Sequence, residues 1–439
     1  MISDTYKKLA RWAMEFSLSK GCQAARVSVY SGSDTEFEIR DKQLDKLQQS
    51  SENQMVMSLY VDERYGSFST NRMEKKELEK FITNAVESVR YLAPDTLRQL
   101  PNPDKYYKGG QPDLTIHDPK ISTLQPDDQL QLAQDAANEI LGTDERILSV
   151  QSAYNDGESF SYMIASNGFE GENSVSYFSL SVSVSVKGEG ESRPESYWFD
   201  QALSIDDLIK KDIGKIALER TLRKLGQEKI ESGNYSMIVD NMNSVRLLSP
   251  ILSVLNGSAL QQNNSFLLDK KGQQVLSDKV TLVDDPHILH SFGSRYFDSE
   301  GVATQKRSIF NKGVLETYFI DTYNGLKMGV EPTISGPSHL ILEQGPHSME
   351  EMIAALDKGI LVTGFNGGNS NSSSGDFSFG IEGFLIENGK LTQPVSGMNI
   401  TGNMLTLWNN LAEIGNDPRV NNAYQIPSLR FEDVDFSGL

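Results

Sequence analysis

The segment TGFNGGNSNSSSGDFSFGIEGFLIENGK, residues 363–390, decides how this chain is read. Its first half is glycine, asparagine and serine with little to bury. Its second half is apolar and ends in Glu387-Asn388-Gly389-Lys390, a hairpin turn with glycine where positive φ is tolerated. GILVTGF before the polar part and FGIEGFLIENGKL after it read as strands, so the polar part is a loop between paired strands rather than a linker. It is not a Walker loop, because no GKS or GKT follows and the next element is a strand. Small residues let another backbone come close, while Asp376 and the hydroxyls offer hydrogen bonds. The candidate substrate- or partner-binding residues are therefore Gly367, Gly368, Asn369, Ser374, Gly375, Asp376, Phe377 and Ser378.

Outward from this loop, residues 231–439 read as a strand-rich C-terminal α+β domain with three helices. One lies within Asn243–Leu255, where an interior Pro250 costs about 3 kcal/mol unless the regular helix begins at Ser249-Pro250. The second opens on a Ser348/Glu351 capping box, with Gly359 placed as its left-handed cap. The third runs from Met404 through Trp408 and Leu411 to Gly415. Residues 1–230 read as an N-terminal α+β domain in which one order, helix–strands–helix, occurs twice, at about 1–93 and 126–228. In the first unit VSVY (27–30) and FEIR (37–40) read as strands, Met55, Met57, Leu59 and Val61 alternate, and Leu78 to Leu92 form a helical stripe. In the second, a helix over 127–142 ends at Gly142. The strand FSLSVSVSV (178–186) then sets apolar residues against a serine face, and Ser204 and Asp207 open a closing helix. The proline- and polar-rich stretch Pro94–Pro126 between the units reads as an exposed connector.

The fold class is thus α+β. Lys plus Arg number 41 against 60 Asp plus Glu, a formal net charge of −19. No basic run exceeds pairs such as Lys75-Lys76 and Lys210-Lys211, which argues against nucleic acid as a partner. The single cysteine, Cys22, excludes an internal disulfide framework and a multi-cysteine zinc knuckle. No signal-peptide core opens the chain, and no stretch approaches the ~18 apolar residues of a membrane span, so a cytoplasmic protein without membrane partners is expected. Of the five histidines only DDPHILH (284–290) gathers potential ligands, and Pro286 argues for a polar turn there.

Several motifs in order carry a family resemblance. GFNGG, SGDFSFGIEGFLIENGKLTQPVSGMNITGN and LAEIGND (411–417) resemble the C-terminal signature of the TldD/PmbA family, described both as modulators of DNA gyrase and as peptidases. YFDSEGVATQKRSIFNKGVLETYFIDTYNG (296–325) and the GNYSMIVDN segment are similar to its middle block and the start of its C-terminal domain. The resemblance implies two kinds of member. The catalytic kind holds zinc with an HExxxH helix and a cysteine in the last segment. That spacing puts both histidines on one helix face and lets the glutamate take a proton from metal-bound water. Here the matching helix, SVRLLSPILSVLNG (244–257), has no His, Glu or Cys, and NDPRVNNAYQIPSLRF (416–431) has no cysteine. The resemblance therefore implies a PmbA/TldE-like partner without catalytic or metal-ligating residues. Zinc is expected in an HExxxH-bearing TldD-like sister subunit, with unfolded peptide as substrate. The alternatives are a homodimeric peptide-binding scaffold, or an independent metal hydrolase using His287 and His290.

Overall fold

The computed structural model describes residues 2–438 and is α+β. Its N-terminal half begins with α1 (Asp4–Ser19), β1 (Ala24–Arg40), β2 (Gln43–Val61), β3 (Arg64–Thr70) and α2 (Lys75–Val89). The order then recurs as α3 (Pro126–Asn138), β4 (Ile147–Ala165), β5 (Glu170–Val186), β6 (Glu195–Ala202) and α4 (Ile213–Leu222). The strands form one antiparallel sheet, β3-β2-β1-β4-β5-β6, so two three-stranded meanders meet through their first strands. VSVY and FEIR are parts of one strand. The polar residues between them continue β1 because both of its edges are paired, Ser33 lying against Ser51 on one side and Glu158 on the other.

Alternation does what the sequence promises. Met55, Met57, Leu59 and Val61 are buried beneath α1 and α2, while Phe178, Leu180, Val182, Val184 and Val186 are buried beneath α3 and α4. The intervening serines of β5 stay half-buried on the opposite face. Two helix ends differ from the reading. α3 stops at Asn138, before the Gly142 turn. α4 starts at Ile213 rather than near Ser204, because Asp118 takes the Ser204 hydroxyl and the Ile205 amide, and Asp200 takes the Ile209 amide. Glu139 of the preceding turn then accepts from the Asp212 and Gly214 amides at 2.7 and 2.8 Å, a remote cap in place of a local one.

The C-terminal half opens with β7 (Gly233–Val239), α5 (Val245–Ser253), α6 (Gly257–Gln261), β8 (Leu282–Asp284), β9 (Arg307–Asn311), β10 (Val314–Leu315), α7 (Thr322–Met328) and β11 (Leu340–Leu342). It continues with α8 (Met349–Ala354), β12 (Lys358–Ser370), β13 (Asp376–Glu387), β14 (Lys390–Asn403), α9 (Met404–Asn409), β15 (Leu411–Ile414), β16 (Tyr424–Gln425) and β17 (Leu429–Gly438). A small sheet has the order β10-β9-β8-β11-β16. The larger one runs β14-β13-β12-β7-β17, and β14 also pairs with β17 from Met398↔Gly438 to Thr401↔Asp435, which closes a five-stranded ring. β15 hangs from β17 outside it. A closed ring leaves no free edge among its members.

The core of this half joins ring residues such as Met237, Ile360, Phe379, Ile400 and Phe431 to Leu247, Leu248 and Ile251 of α5 and to Trp408. α5 runs straight through Pro250 instead of starting there. Proline removes the amide that would bond the Arg246 carbonyl. Burial of Leu247, Leu248 and Ile251, together with the Trp408 indole N–H donated to the Leu247 carbonyl at 3.2 Å, holds the helix across that gap. The Ser348/Glu351 capping box is present, but Gly359 is the second residue of β12 beside Ser236 rather than a helix cap. The third expected helix ends at Asn409, and Leu411–Ile414 becomes a strand on β17.

The connector is not an exposed strand of chain. Tyr106, Leu114 and Ile116 are buried, and backbone bonds tie Tyr107 to Gly301, Ala303 to Lys105 and His290 to Leu114. Tyr107 stacks on Tyr296 at 5.4 Å. Aromatic and aliphatic residues scattered among prolines and glycines thus seat the connector between the two halves, Tyr106 against Met163, Ala165 and Phe169 on one side and Tyr107 against Tyr296 and Phe297 on the other, which overrides its polar composition. No helix among the described residues is long and apolar enough to cross a membrane.

Candidate functional site

The polar stretch of residues 363–378 is mostly strand. Gly367 and Gly368 form a bulge in β12, where the pairing jumps from Asn366↔Gly380 to Asn369↔Ser378. Only residues 371–375 turn, and β13 begins at Asp376. The turn is built from its own polar groups. Asn371 Oδ1 accepts from the Ser373 amide at 2.9 Å, and the Gly375 amide donates to the Asn371 carbonyl at 2.8 Å. Asp376 accepts from Asn403 Nδ2 at 3.0 Å and from the Ser374 hydroxyl at 2.7 Å, which holds its carboxyl below the usual aspartate range. The Asn371, Ser374 and Asp376 polar groups are thereby committed to the hairpin itself.

Of the expected contact residues, Gly367, Gly368, Asn369, Ser374 and Asp376 are exposed and lie together at this hairpin end. Phe377 and Gly375 are turned inward; Phe377 stacks on Phe379 at 5.3 Å within the core. What composition did not reveal is the support from elsewhere in the chain. Arg246, in the first turn of α5, donates to the Gly368 carbonyl at 3.1 Å and lies 4.7 Å from the Phe379 ring. The Ser373 hydroxyl donates to Asn264 Oδ1 at 2.6 Å, and the Phe266 amide reaches the Ser372 carbonyl. The hairpin end is thus braced against α5 and the turn after α6.

The two glycines are not equivalent. A Cβ on Gly367 would meet nothing within 4 Å, whereas one on Gly368 would fall 2.1 Å from the Ser378 carbonyl oxygen. Both have positive φ, +73° and +85°. Gly368→Ala combines a left-handed backbone cost of about 1–2 kcal/mol with a steric cost of about 1–3 kcal/mol. It is expected to lower the urea midpoint clearly more than Gly367→Ala, which carries only the first term; equal midpoints would refute the asymmetry. Substituting both glycines would therefore disturb the fold as well as the surface.

The segment that the family resemblance sets against a zinc helix, residues 244–257, folds as α5 and the start of α6. Its Leu247, Leu248 and Ile251 point into the core and Arg246 serves the hairpin, so these residues do not fit a zinc ion. His287 and His290 do not converge either. His287 Nε2 pairs with Thr304 Oγ1 at 3.0 Å, while His290 bonds the Thr115 carbonyl through Nδ1 at 2.8 Å and Asp207 through Nε2 at 2.7 Å. Among the described residues no three His, Cys, Asp or Glu side chains are grouped to hold a metal. Asp298 accepts from the Glu300 turn amide, while Glu300 and the α7 N-cap Asp321 accept from the Thr322 and Asn324 amides in the first turn of α7.

His290 latches the connector. The Thr115 carbonyl and Asp207 raise its pKa above the ordinary 6.5 against the opposing effect of burial. A base with a raised folded pKa stabilises fully below its unfolded value and loses that contribution as pH rises through the folded value. Raising the pH from about 6 to 8 is therefore expected to lower the melting temperature more in the unsubstituted chain than in His290→Gln. The pair is largely exposed, so the difference stays below about 1 kcal/mol; parallel pH profiles would contradict it.

The sequence of this chain matches one family along most of its length. Models of the PmbA/TldA metallopeptidase domain 1, central domain and C-terminal domain match residues 25–89, 119–225 and 232–438. The chain belongs to the PmbA/TldD metallopeptidase family. Metalloprotease PmbA of Escherichia coli O157:H7 is 27% identical over 431 residues, covering 97% of this chain and 94% of that one. A crystal structure from Bacteroides thetaiotaomicron, described as a candidate modulator of DNA gyrase, is 61% identical with a TM-score of 0.98 over 100% of both chains. TldE from Thermococcus kodakarensis shares the fold at a TM-score of 0.85 and 21% identity, covering 99% of this chain and 100% of that chain.

Proposed function

We propose that this chain is the non-catalytic partner subunit of a PmbA/TldD-type zinc peptidase, and that it presents unfolded peptide to a sister subunit that carries HExxxH and zinc. The observation that carries this reading is α5: where the catalytic kind needs two histidines and a glutamate, this helix spends its side chains on the core and on bracing the hairpin. The exposed bulge and turn, with Asn369 at their surface, are the contact proposed for peptide or partner. Membership in a metallopeptidase family and the preserved architecture support a role in proteolysis without local metal chemistry.

The test is reconstitution. The purified chain, an HExxxH-bearing family member, and their mixture are each assayed for chelator-sensitive cleavage of unfolded casein, with zinc measured on each protein. Cleavage by the mixture well above the sum of the parts, with zinc confined to the sister, is expected. Chelator-sensitive cleavage by this chain alone would overturn the reading, and co-elution as a homodimer with no gain on mixing would favour the scaffold. Asn369→Trp, which crowds the exposed bulge, should slow the mixture about tenfold; an unchanged rate removes the hairpin from the contact surface.

A further inference from the structure

Where the connector crosses the C-terminal half, it closes a cavity of about 470 Å³, within the range of small-molecule sites. Leu100 of the connector and Val302, Ile320 and Ile334 of the opposite wall make it apolar, while Asp298, Glu300, Thr322 and Asn167 supply the polar lining. Lys105 and Glu331, paired at 2.6 Å, also line it.

The polar groups are not equally committed. Asp298 is spent, since its two oxygens accept from the amides of Glu300, Val302 and Ser335 at 2.9–3.0 Å. Glu300 Oε2 is spent as well, on the amide and hydroxyl of Thr322 at 2.9 and 2.8 Å. Glu300 Oε1 has no hydrogen bond or ion pair among the described residues; Arg26 acts on this carboxyl only at longer range. Asn167 Oδ1 accepts from the Tyr106 hydroxyl at 2.8 Å and retains a second lone pair. A carboxylate oxygen that is partly desolvated and lacks a donor is costly unless a cationic donor completes it. The net charge of −19 favours a cation approaching from solvent.

We propose that this cavity binds the ammonium end of an apolar amine, with Glu300 as counter-ion and the Leu100/Val302/Ile320/Ile334 walls around the aliphatic part. The same chemistry is offered by a free alkylamine and by the amino terminus of a peptide that begins with an apolar residue. The site shares no residue with the hairpin end and does not rest on the proposed subunit pairing.

Calorimetric titration of the full chain separates the cases. n-Hexylamine should bind saturably, with 1-hexanol at least tenfold weaker and hexanoate silent. Glu300→Gln keeps an acceptor for Thr322, so the melting temperature should hold while hexylamine affinity falls at least tenfold. Leu100→Trp, which fills the cavity with Glu300 intact, should weaken the amine as well. If Leu-Gly-Gly binds as tightly as hexylamine and its N-acetyl form does not bind, the peptide terminus is the source; if only hexylamine binds, the source is a free amine. No saturable binding of either amine, hexanol binding equal to hexylamine, or unchanged affinity in Glu300→Gln would overturn the proposal.

Discussion

Ending the chain after Ser428 is expected to leave the C-terminal half unfolded while the N-terminal sheet persists. β17 is paired on both sides, to β7 along residues 429–436 and to β14 along 435–438, and it also carries β15. Its loss opens the ring and exposes the backbone groups of three other strands. Leu429, Phe431, Val434 and Phe436 are buried. At about 1.5–3 kcal/mol each their burial sums to roughly 6–12 kcal/mol, against a total of about 5–15 kcal/mol for a whole folded domain. Hydrogen exchange should show the β7, β12 and β14 amides unprotected in the truncated chain while β1 and β4 retain protection. Protection of β7 at its full-length level would show that the ring does not depend on its last strand.

Trp408→Ala should be the most damaging single substitution in that half. The side chain is fully buried, packs edge-on against Phe431 at 5.7 Å and donates to the Leu247 carbonyl. Removing a buried tryptophan costs about 3–5 kcal/mol, and here it also removes a hydrogen bond to the helix that tolerates Pro250. Trp408→Phe should recover part of the loss by refilling volume without the N–H. The urea midpoints are expected in the order unsubstituted, Phe, Ala, with the slope unchanged; a Phe variant as weak as Ala would shift the weight from packing to the hydrogen bond.

What the sequence made legible is what periodicity encodes. The stripe that begins at Leu78 is α2, although the helix ends at Val89 and leaves Leu92 outside it, the alternation of 178–186 is β5, and Asn388 and Gly389, at φ 51° and 73°, form the hairpin turn read from ENGK. What it hid are features fixed by residues far apart in the chain. Glu139 caps α4 from 73 residues away in place of a local Ser204 cap. Arg246 reaches the bulge across 122 residues, and β14 finds β17 only once the ring has formed. Glycine-rich composition suits a loop and a bulge equally, because both call for positive φ, and only the pairing partner tells them apart. α7 lies at the end of a run that reads as strand, and its seven residues, about two turns, are too few to show a helical period.

The strapped connector bears on how the molecule can move. Only residues 223–232 join α4 to β7 along the chain, a single crossing that would let the two halves swing like a lid on its box. The docked connector acts as a second fastening some distance from the first, since Tyr107, Leu114 and Thr115 are held by Gly301 and His290. Two separated fastenings suppress rotation about either one, so opening the halves would require breaking the Tyr107 stack on Tyr296 and the connector's backbone bonds to Gly301, Ala303 and His290. The molecule therefore presents its ring and its long sheet as a fixed pair, and any partner must meet both in one orientation.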